Sequence, residues 1–388
     1  MEFYYQCADC GKQYEISTDR MVCSICAQHQ ESEQPLRGIL ETVLKGDVPQ
    51  IWQISDLLPV PANYFPSVLV GDIPLWEPLR LRRQLDRPKL FIKDDSLNPT
   101  GSFKDRASIL VSAFAARHKQ DRIVLASTGN AGSSMAGIGA AAGQKIILFL
   151  PEAAPAKFIQ ALQYGATVFR VKGNYDKAYD LSLAYSMRFG GINRNAAYNP
   201  MTIEGKKTVS LEIFRQLGAV LDQVFVPVGD GCILAGVYKG FRDLKQLGLT
   251  QRIPEIIAVQ SEKSNAVALA FAQKGAFTKI KATSLADSLN VDTPRSGRLT
   301  VRDLLEHGGA CVTVGEKDII AAQAMLSANA GLFTELAGAA AFAGYLAVRA
   351  TLPKDSRAVV LTTGSGLKDT ATATRGVTPP DETITSLG

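Results

Sequence analysis

A chain of 388 residues, 46% hydrophobic and 20% charged, has a globular composition and room for two or three folding units. Its net charge of +5, from 42 basic and 37 acidic residues, is spread without a Lys/Arg block, which argues against a nucleic-acid-binding arm. No apolar run reaches the roughly 18 residues that span a bilayer, and three histidines (His29, His118, His307) leave little material for a histidine triad or catalytic metal centre.

The N-terminus, MEFYYQCADC, lacks the basic and then apolar segments of a secretory leader, which predicts a cytoplasmic protein without structural disulfides. Cys7, Cys10, Cys23 and Cys26 form two C-x2-C pairs separated by twelve residues. Two such knuckles can close a tetrahedral thiolate site, so residues 1–30 are expected to be a ribbon held by a structural zinc. The polar stretch QHQESEQPL (28–36) reads as a linker.

An alternation follows. Short β-rich apolar runs stand at 90–93, 123–127, 145–150, 167–171, 223–228, 255–260 and 358–362. Segments of helical period lie at 104–118, 131–142, 157–164, 174–189, 204–216, 232–247, 316–330 and 335–351. This is the pattern of an α/β protein with mostly parallel sheets flanked by helices. In such folds ligands sit beyond the carboxyl ends of strands, so the strand-to-helix loops carry the chemistry. The tail, TPPDETITSLG (378–388), is expected to be loosely ordered.

Four loops stand out. NPTGSFKDRAS (98–108) turns directly into a helical segment and places Lys104 at its start. Ser127, Thr128, Gly129 and Asn130 follow the second run, offering hydroxyls, an amide and helix-start N–H groups that suit a carboxylate or phenolate. Gly229, Asp230, Gly231, Cys232 and Ile233 form a glycine turn into a helix, a shape that lets backbone approach a phosphate. Thr363 and Ser365 sit on the last glycine turn, where a neutral hydroxyl could meet a ring nitrogen. An amine nucleophile, an anion cradle, an amide and a hydroxyl are what pyridoxal phosphate requires of a protein. No G-x-S-x-G elbow or Walker loop is present, and Gly137 to Gly143 has the wrong spacing for a dinucleotide fingerprint and reads as helix packing.

The set SLNPTGSFKDR, ASTGN, NPMTIEGKKT, PVGDG and TTGSGLKD, in this order from about Gly71 to Lys368, resembles threonine synthase and its relatives among fold type II pyridoxal-phosphate enzymes. N-terminal ribbons occur in some members of that group. The resemblance implies two sheets: a large unit from 31–110 and 200–388, and a smaller one from 111–199. It implies that Lys104 forms the Schiff base and that Asn130 bonds the phenolic oxygen. Gly229 to Ile233 would hold the phosphate, and Thr363, or else Ser365, would meet the pyridine nitrogen. Ser127 to Asn130, with Ser102 available, would bind the amino-acid substrate. It also implies a homodimer.

The reaction so implied is β- or γ-elimination or replacement, because a hydroxyl at the pyridine nitrogen supplies no full positive charge. Threonine synthases act on a phosphorylated homoserine, yet this chain has Ala196, Ala197 and Thr202 where they carry Asn, Ser and Arg for the substrate phosphate. It has Asp230 in place of Asn and Gly338 where Ser is frequent. The charge of Asp230 would oppose a phosphate, which favours a substrate with an amine or hydroxyl at its β or γ carbon, while Ser102 and the segment Lys206, Lys207 and Thr208 keep phosphate recognition open. Asp287, Asp292 and Arg295 are further candidates for side-chain recognition. Cys232 and Cys311 read as packing residues. Related readings are an ammonia-lyase, a dehydratase or a β-replacement synthase; a zinc-ribbon adaptor without catalysis leaves Lys104 and the loops unexplained.

Overall fold

The computed structural model describes residues 1–152 and 158–377; the expected loose tail lies outside them. The N-terminal sheet is antiparallel, with β1 (Glu2–Cys7) between β2 (Gln13–Tyr14) and β3 (Leu40–Lys45). Tyr5 and Cys7 of β1 and Leu40 and Leu44 of β3 are buried. The ribbon therefore does not end at 30: the chain returns after the polar linker, and β3 pairs along the whole of β1, Cys7 opposite Leu40.

Next come β4 (Leu75–Trp76), α1 (Leu79–Leu85), β5 (Leu90–Asp94) and α2 (Asp105–Arg117). Then β6 (Arg122–Ala126), α3 (Asn130–Ala141), β7 (Lys145–Pro151), α4 (Ile159–Gln163), β8 (Thr167–Val171), α5 (Tyr175–Phe189) and β9 (Ile192–Asn193) follow. These four strands form a parallel sheet in the order β8-β7-β6-β9. The chain continues through α6 (Pro200–Lys206), α7 (Thr208–Leu217), β10 (Gln223–Pro227), α8 (Cys232–Gln246), β11 (Glu255–Ser261), α9 (Ala266–Ala272), α10 (Gly297–Glu306) and β12 (Ala310–Val314). It closes with α11 (Glu316–Ala330), α12 (Leu336–Val348), β13 (Ala358–Thr362) and α13 (Thr370–Ala373).

The larger sheet has the order β12-β11-β10-β13-β5-β4, parallel throughout except for β4 against β5. Every residue of β10 and β13 is buried, as expected of central parallel strands covered on both faces. One face is covered by α12, whose small side chains (LAGAAAFAGY) are all buried and let it lie close. Among the described residues no helix is long and apolar enough to cross a membrane.

The expected helix at 204–216 is two helices meeting at Lys207. Asn199 caps the first by accepting from Met201 N at 2.9 Å, with Pro200 at its first position. Gly137 and Gly139 are packing residues, as expected: a Cβ on Gly137 would come 2.6 Å from Thr100 Cγ2.

Candidate active site

Lys104 is placed by the turn that precedes it. Gly101 takes φ +80°, its N–H bonding Asn98 O at 2.8 Å. The Asp105 carboxylate accepts from Thr100 N at 2.8 Å and from the Thr100 hydroxyl, closing the loop around Lys104. Arg106, fully buried, donates to Asp95 at 2.9 Å and to Glu212 at 2.6 and 2.8 Å, while Lys93 also meets Glu212 at 2.8 Å. A four-charge network thus fixes the start of α2.

The same loop is joined to the last glycine turn. Phe103 N donates to Thr363 O at 2.9 Å, Ser365 N to Gly101 O at 3.0 Å, and Lys368 Nζ to Thr100 O at 2.8 Å. Because β5, β13 and β10 are adjacent and parallel, their carboxyl-end loops (Lys104, Thr363 and the 229–233 turn) fall side by side.

Lys104 is half-buried, and among the described residues its ammonium makes no hydrogen bond or ion pair. Burial, then the charge of Arg194, hold it below the usual lysine range, against the pull of Cys232, Glu335 and Asp230. A lysine so placed is readily deprotonated, the condition for a nucleophilic or basic amine.

Asn130 opens α3, with its Nδ2 donating to Glu335 Oε1 at 2.8 Å and its Oδ1 buried without a partner. The Ser102 hydroxyl is also buried without a partner. Ser127 Oγ accepts from Gly132 N at 2.9 Å and Gly129 N at 3.2 Å, so its hydroxyl caps α3. What remains for a ligand in that loop is the half-buried Thr128 and Gly129 backbone.

In the 229–233 turn, a Cβ on Gly229 would stand 3.0 Å from Leu289 Cα, and Gly231 has φ +91° with Thr300 Oγ1 directly against it. The cradle accepts no side chain at either position and presents the first turn of α8, the setting in which backbone amides bind phosphate. Thr363 is 7% exposed and its hydroxyl makes no hydrogen bond among the described residues. Ser365 Oγ accepts from Leu367 N at 3.3 Å, so that hydroxyl serves its own turn. The unpartnered Asn130 Oδ1 and Ser102 Oγ, the free Thr363 hydroxyl and the glycine cradle fit a pyridoxal-phosphate ring and phosphate.

Asp230 is engaged within the cradle. Its carboxylate accepts from Arg295 N at 2.5 Å and from the Cys232 thiol at 3.1 Å. The group is a tether between the cradle and the 286–297 segment, and its charge still acts on the crevice, pulling Lys104 and Lys206 toward their charged forms. Arg295 pairs with Asp176, and Asp292 accepts from Ala282 N at 2.9 Å. Cys232 is buried, as expected, but it also donates within the cradle, while Cys311 is only partly buried. Gly338 has a packing reason, since a side chain there would strike Thr334 Oγ1 and stand 3.1 Å from Thr363 N. Thr202 donates to Asn199 O at 2.8 Å and Ala197 is 1% exposed, so neither offers a group to a ligand.

Two residues were missed, Glu335 and Arg194, and the burial of Lys206 was not foreseen. Glu335, 3% exposed, bridges to Asn130; its signal was the acidic residue opening a helix of small side chains. Arg194 and Lys206, each 1% exposed, sit among the loops; nothing in their local sequence marks them as buried charges. Burial lowers Lys206 to about 7, with Cys232, Lys104, Arg194 and Asp230 as its charged neighbours.

Away from these loops, the Sγ atoms of Cys7, Cys10, Cys23 and Cys26 lie within 4.8 Å of one another, with Cys7–Cys26 at 3.7 Å and Cys10–Cys23 at 3.8 Å. Sulfurs about 2.3 Å from a tetrahedral zinc would be about 3.8 Å apart. The thiols fit that ion. A cleft of about 1350 Å³ between the ribbon and residues 55–62 contains none of the loop residues.

Residues 67–364 match the family described as pyridoxal-phosphate dependent enzyme. The chain is 31% identical to the threonine synthase of Methanocaldococcus jannaschii, over 97% of this chain and 95% of that protein. It is equally identical to the threonine synthase of Methanosarcina acetivorans, over 95% and 93%. Its fold resembles the processed form of threonine deaminase isoform 2 from Solanum lycopersicum, with a TM-score of 0.70 at 23% identity, over 86% of this chain and 96% of that one.

Proposed function

The chain belongs to the pyridoxal-phosphate-dependent enzyme family, on its threonine synthase-like branch, and we propose that Lys104 holds the cofactor for β- or γ-elimination or replacement on an amino acid. The observation that carries this is the Lys104 ammonium: depressed by burial, without a hydrogen bond, and placed beside both glycine turns. When bound, the cofactor supplies an electron sink for charge developing at the substrate α-carbon.

The chain supplies the rest. Lys104 removes and returns the α-proton, a task that burial favours by lowering its pKa from the ordinary lysine value. Backbone amides from Gly229 to Ile233, at the start of α8, bind the cofactor phosphate. The Asn130 Nδ2 hydrogen not given to Glu335 would donate to the phenolic oxygen, with Glu335 orienting the amide. Thr363 gives the ring nitrogen a neutral partner, which leaves charge free to drain toward a leaving group. Thr128, Gly129 and Asn130 receive the substrate carboxylate at the start of α3. The same reading gives the ribbon a structural zinc and makes the enzyme a cytoplasmic homodimer.

Exchange of the substrate α-proton in D2O, followed by NMR with the loaded enzyme and a set of β- and γ-substituted amino acids, tests the reading. Exchange that disappears in Lys104→Ala is expected. Amino acids that bind without exchange in the wild type would overturn it.

A further inference from the structure

Arg194 immediately follows β9, and its N–H bonds Val124 O at 2.8 Å, on the strand β6 that leads to Ser127. It therefore stands at the carboxyl edge of the smaller sheet. The side chain is 1% exposed, and among the described residues its Nε has no partner and its one hydrogen bond is a long 3.4 Å contact from Nη2 to Ser108 Oγ. Among the described residues it has no ion pair.

Among the described residues the other buried arginine, Arg106, is paired with Asp95 and Glu212, and even the partly buried Arg242 and Arg302 share Glu41. Burying a charge without a partner costs several kcal/mol, and arginine keeps its charge at neutral pH. Burial brings Arg194 down only to about 10, with Tyr175, Cys232 and Asp105 pulling the other way. Arg194 is also the charged neighbour that acts most strongly on Lys104. Its unused donors thus belong to the crevice where the reaction takes place.

We propose that Arg194 is a specificity-determining residue that binds an oxyanion on the distal part of the substrate, the part that leaves or is replaced. The proposal rests on the cofactor reading above. The α-carboxylate already has the amides at the start of α3, and the cofactor phosphate has the cradle at the start of α8. The neighbouring positions on the same loop, Ala196, Ala197 and Thr202, provide no competing donor. A planar fork of donors suits a carboxylate or a tetrahedral oxyanion equally.

The test follows the cofactor absorbance band while wild-type and Arg194→Gln holoenzymes are titrated with three pairs of amino acids: O-phospho-L-serine and L-serine, O-phospho-L-homoserine and L-homoserine, L-aspartate and L-asparagine. For at least one pair the wild type should bind the charged member about tenfold or more tightly, the scale of a charge-assisted hydrogen bond. Arg194→Gln should remove that preference with little change for the neutral member and for cofactor uptake, and Arg194→Lys should restore part of it. A wild type with no preference in any pair overturns the inference. So does equal weakening of charged and neutral members, which would assign Arg194 to the α-carboxylate, or loss of cofactor uptake, which would assign it to the cofactor phosphate. A wild type that takes up no cofactor defeats the proposed function instead.

Discussion

The amide of Asn130 donates to Glu335 Oε1 at 2.8 Å, a bond across 205 residues that ties the start of α3 to the start of α12. It crosses between elements of the two sheets, so Glu335 sets the orientation of the Asn130 amide. Removing the carboxylate in Glu335→Ala leaves a buried amide unheld, at a cost of about 1–3 kcal/mol. Cofactor affinity, measured by fluorescence titration, should fall by roughly tenfold or more. Unchanged affinity would show that Glu335 does not orient Asn130.

Gly231 and Gly248 form a matched pair. Both have positive φ, +91° and +71°, but a side chain on Gly231 would overlap Thr300 while Gly248 has nothing within 4 Å. Gly248→Ala should cost about 1–2 kcal/mol in urea denaturation, the strain of the left-handed backbone alone, and leave cofactor binding intact. Gly231→Ala should cost more and weaken cofactor binding as well. Equal behaviour of the two variants would remove the cradle role from Gly231.

The sequence was informative where a strand ran fully buried into a glycine turn. β5, β6, β10 and β13 are each nearly continuous apolar runs, and the loops after them carry Lys104, Asn130, the 229–233 turn and Thr363. It was poor where elements are short or half-wet. β9 and β4 are two residues each, and β12, an edge strand, has one buried residue of five. α10 follows an irregular segment tied down by side chains from elsewhere, such as Asp230. Glu335, Arg194 and the burial of Lys206 could not be found locally, because what distinguishes these residues is burial and the presence or absence of partners on distant elements. The partners of Asp230 were hidden for the same reason: the sequence shows a charge but not that Arg295 N and the Cys232 thiol donate to it.

Acid should unfold the protein through two carboxylates. Burial pushes Glu212 up, but Arg106 and Lys93 outweigh it and hold the group at about 2. Glu41 is likewise held at about 2 by Arg242 and Arg302 against the effect of burial. A folded-state value below the unfolded 4.5 stabilises fully above about pH 4.5, and that stability is lost as pH falls toward about 2. Glu212→Gln should be less stable at neutral pH, since it leaves Arg106 and Lys93 short of a partner, and its stability should fall less steeply in that acid window. A parallel acid limb in wild type and variant would contradict this.

Metal removal should be felt beyond the ribbon. Leu36 N, just after the cysteine knuckles, donates to Arg295 O at 2.9 Å, and Arg295 N donates to Asp230 in the cradle. Chelation is expected to lower the melting temperature and weaken cofactor binding together, because loosening the ribbon frees the segment that buttresses the cradle. A fall in stability with cofactor affinity unchanged would confine the ribbon to a local role.

The central claim is that Lys104, and no other lysine, carries the cofactor. Lys206 is the informative rival, being buried in the same crevice with its pKa lowered to about 7. Reducing the holoenzyme with borohydride and locating the pyridoxyl group by peptide mass spectrometry decides between them. The predicted result is a single adduct on the peptide containing Lys104, absent from Lys104→Ala. An adduct on Lys206, or none in a wild type exposed to the cofactor, would contradict the account.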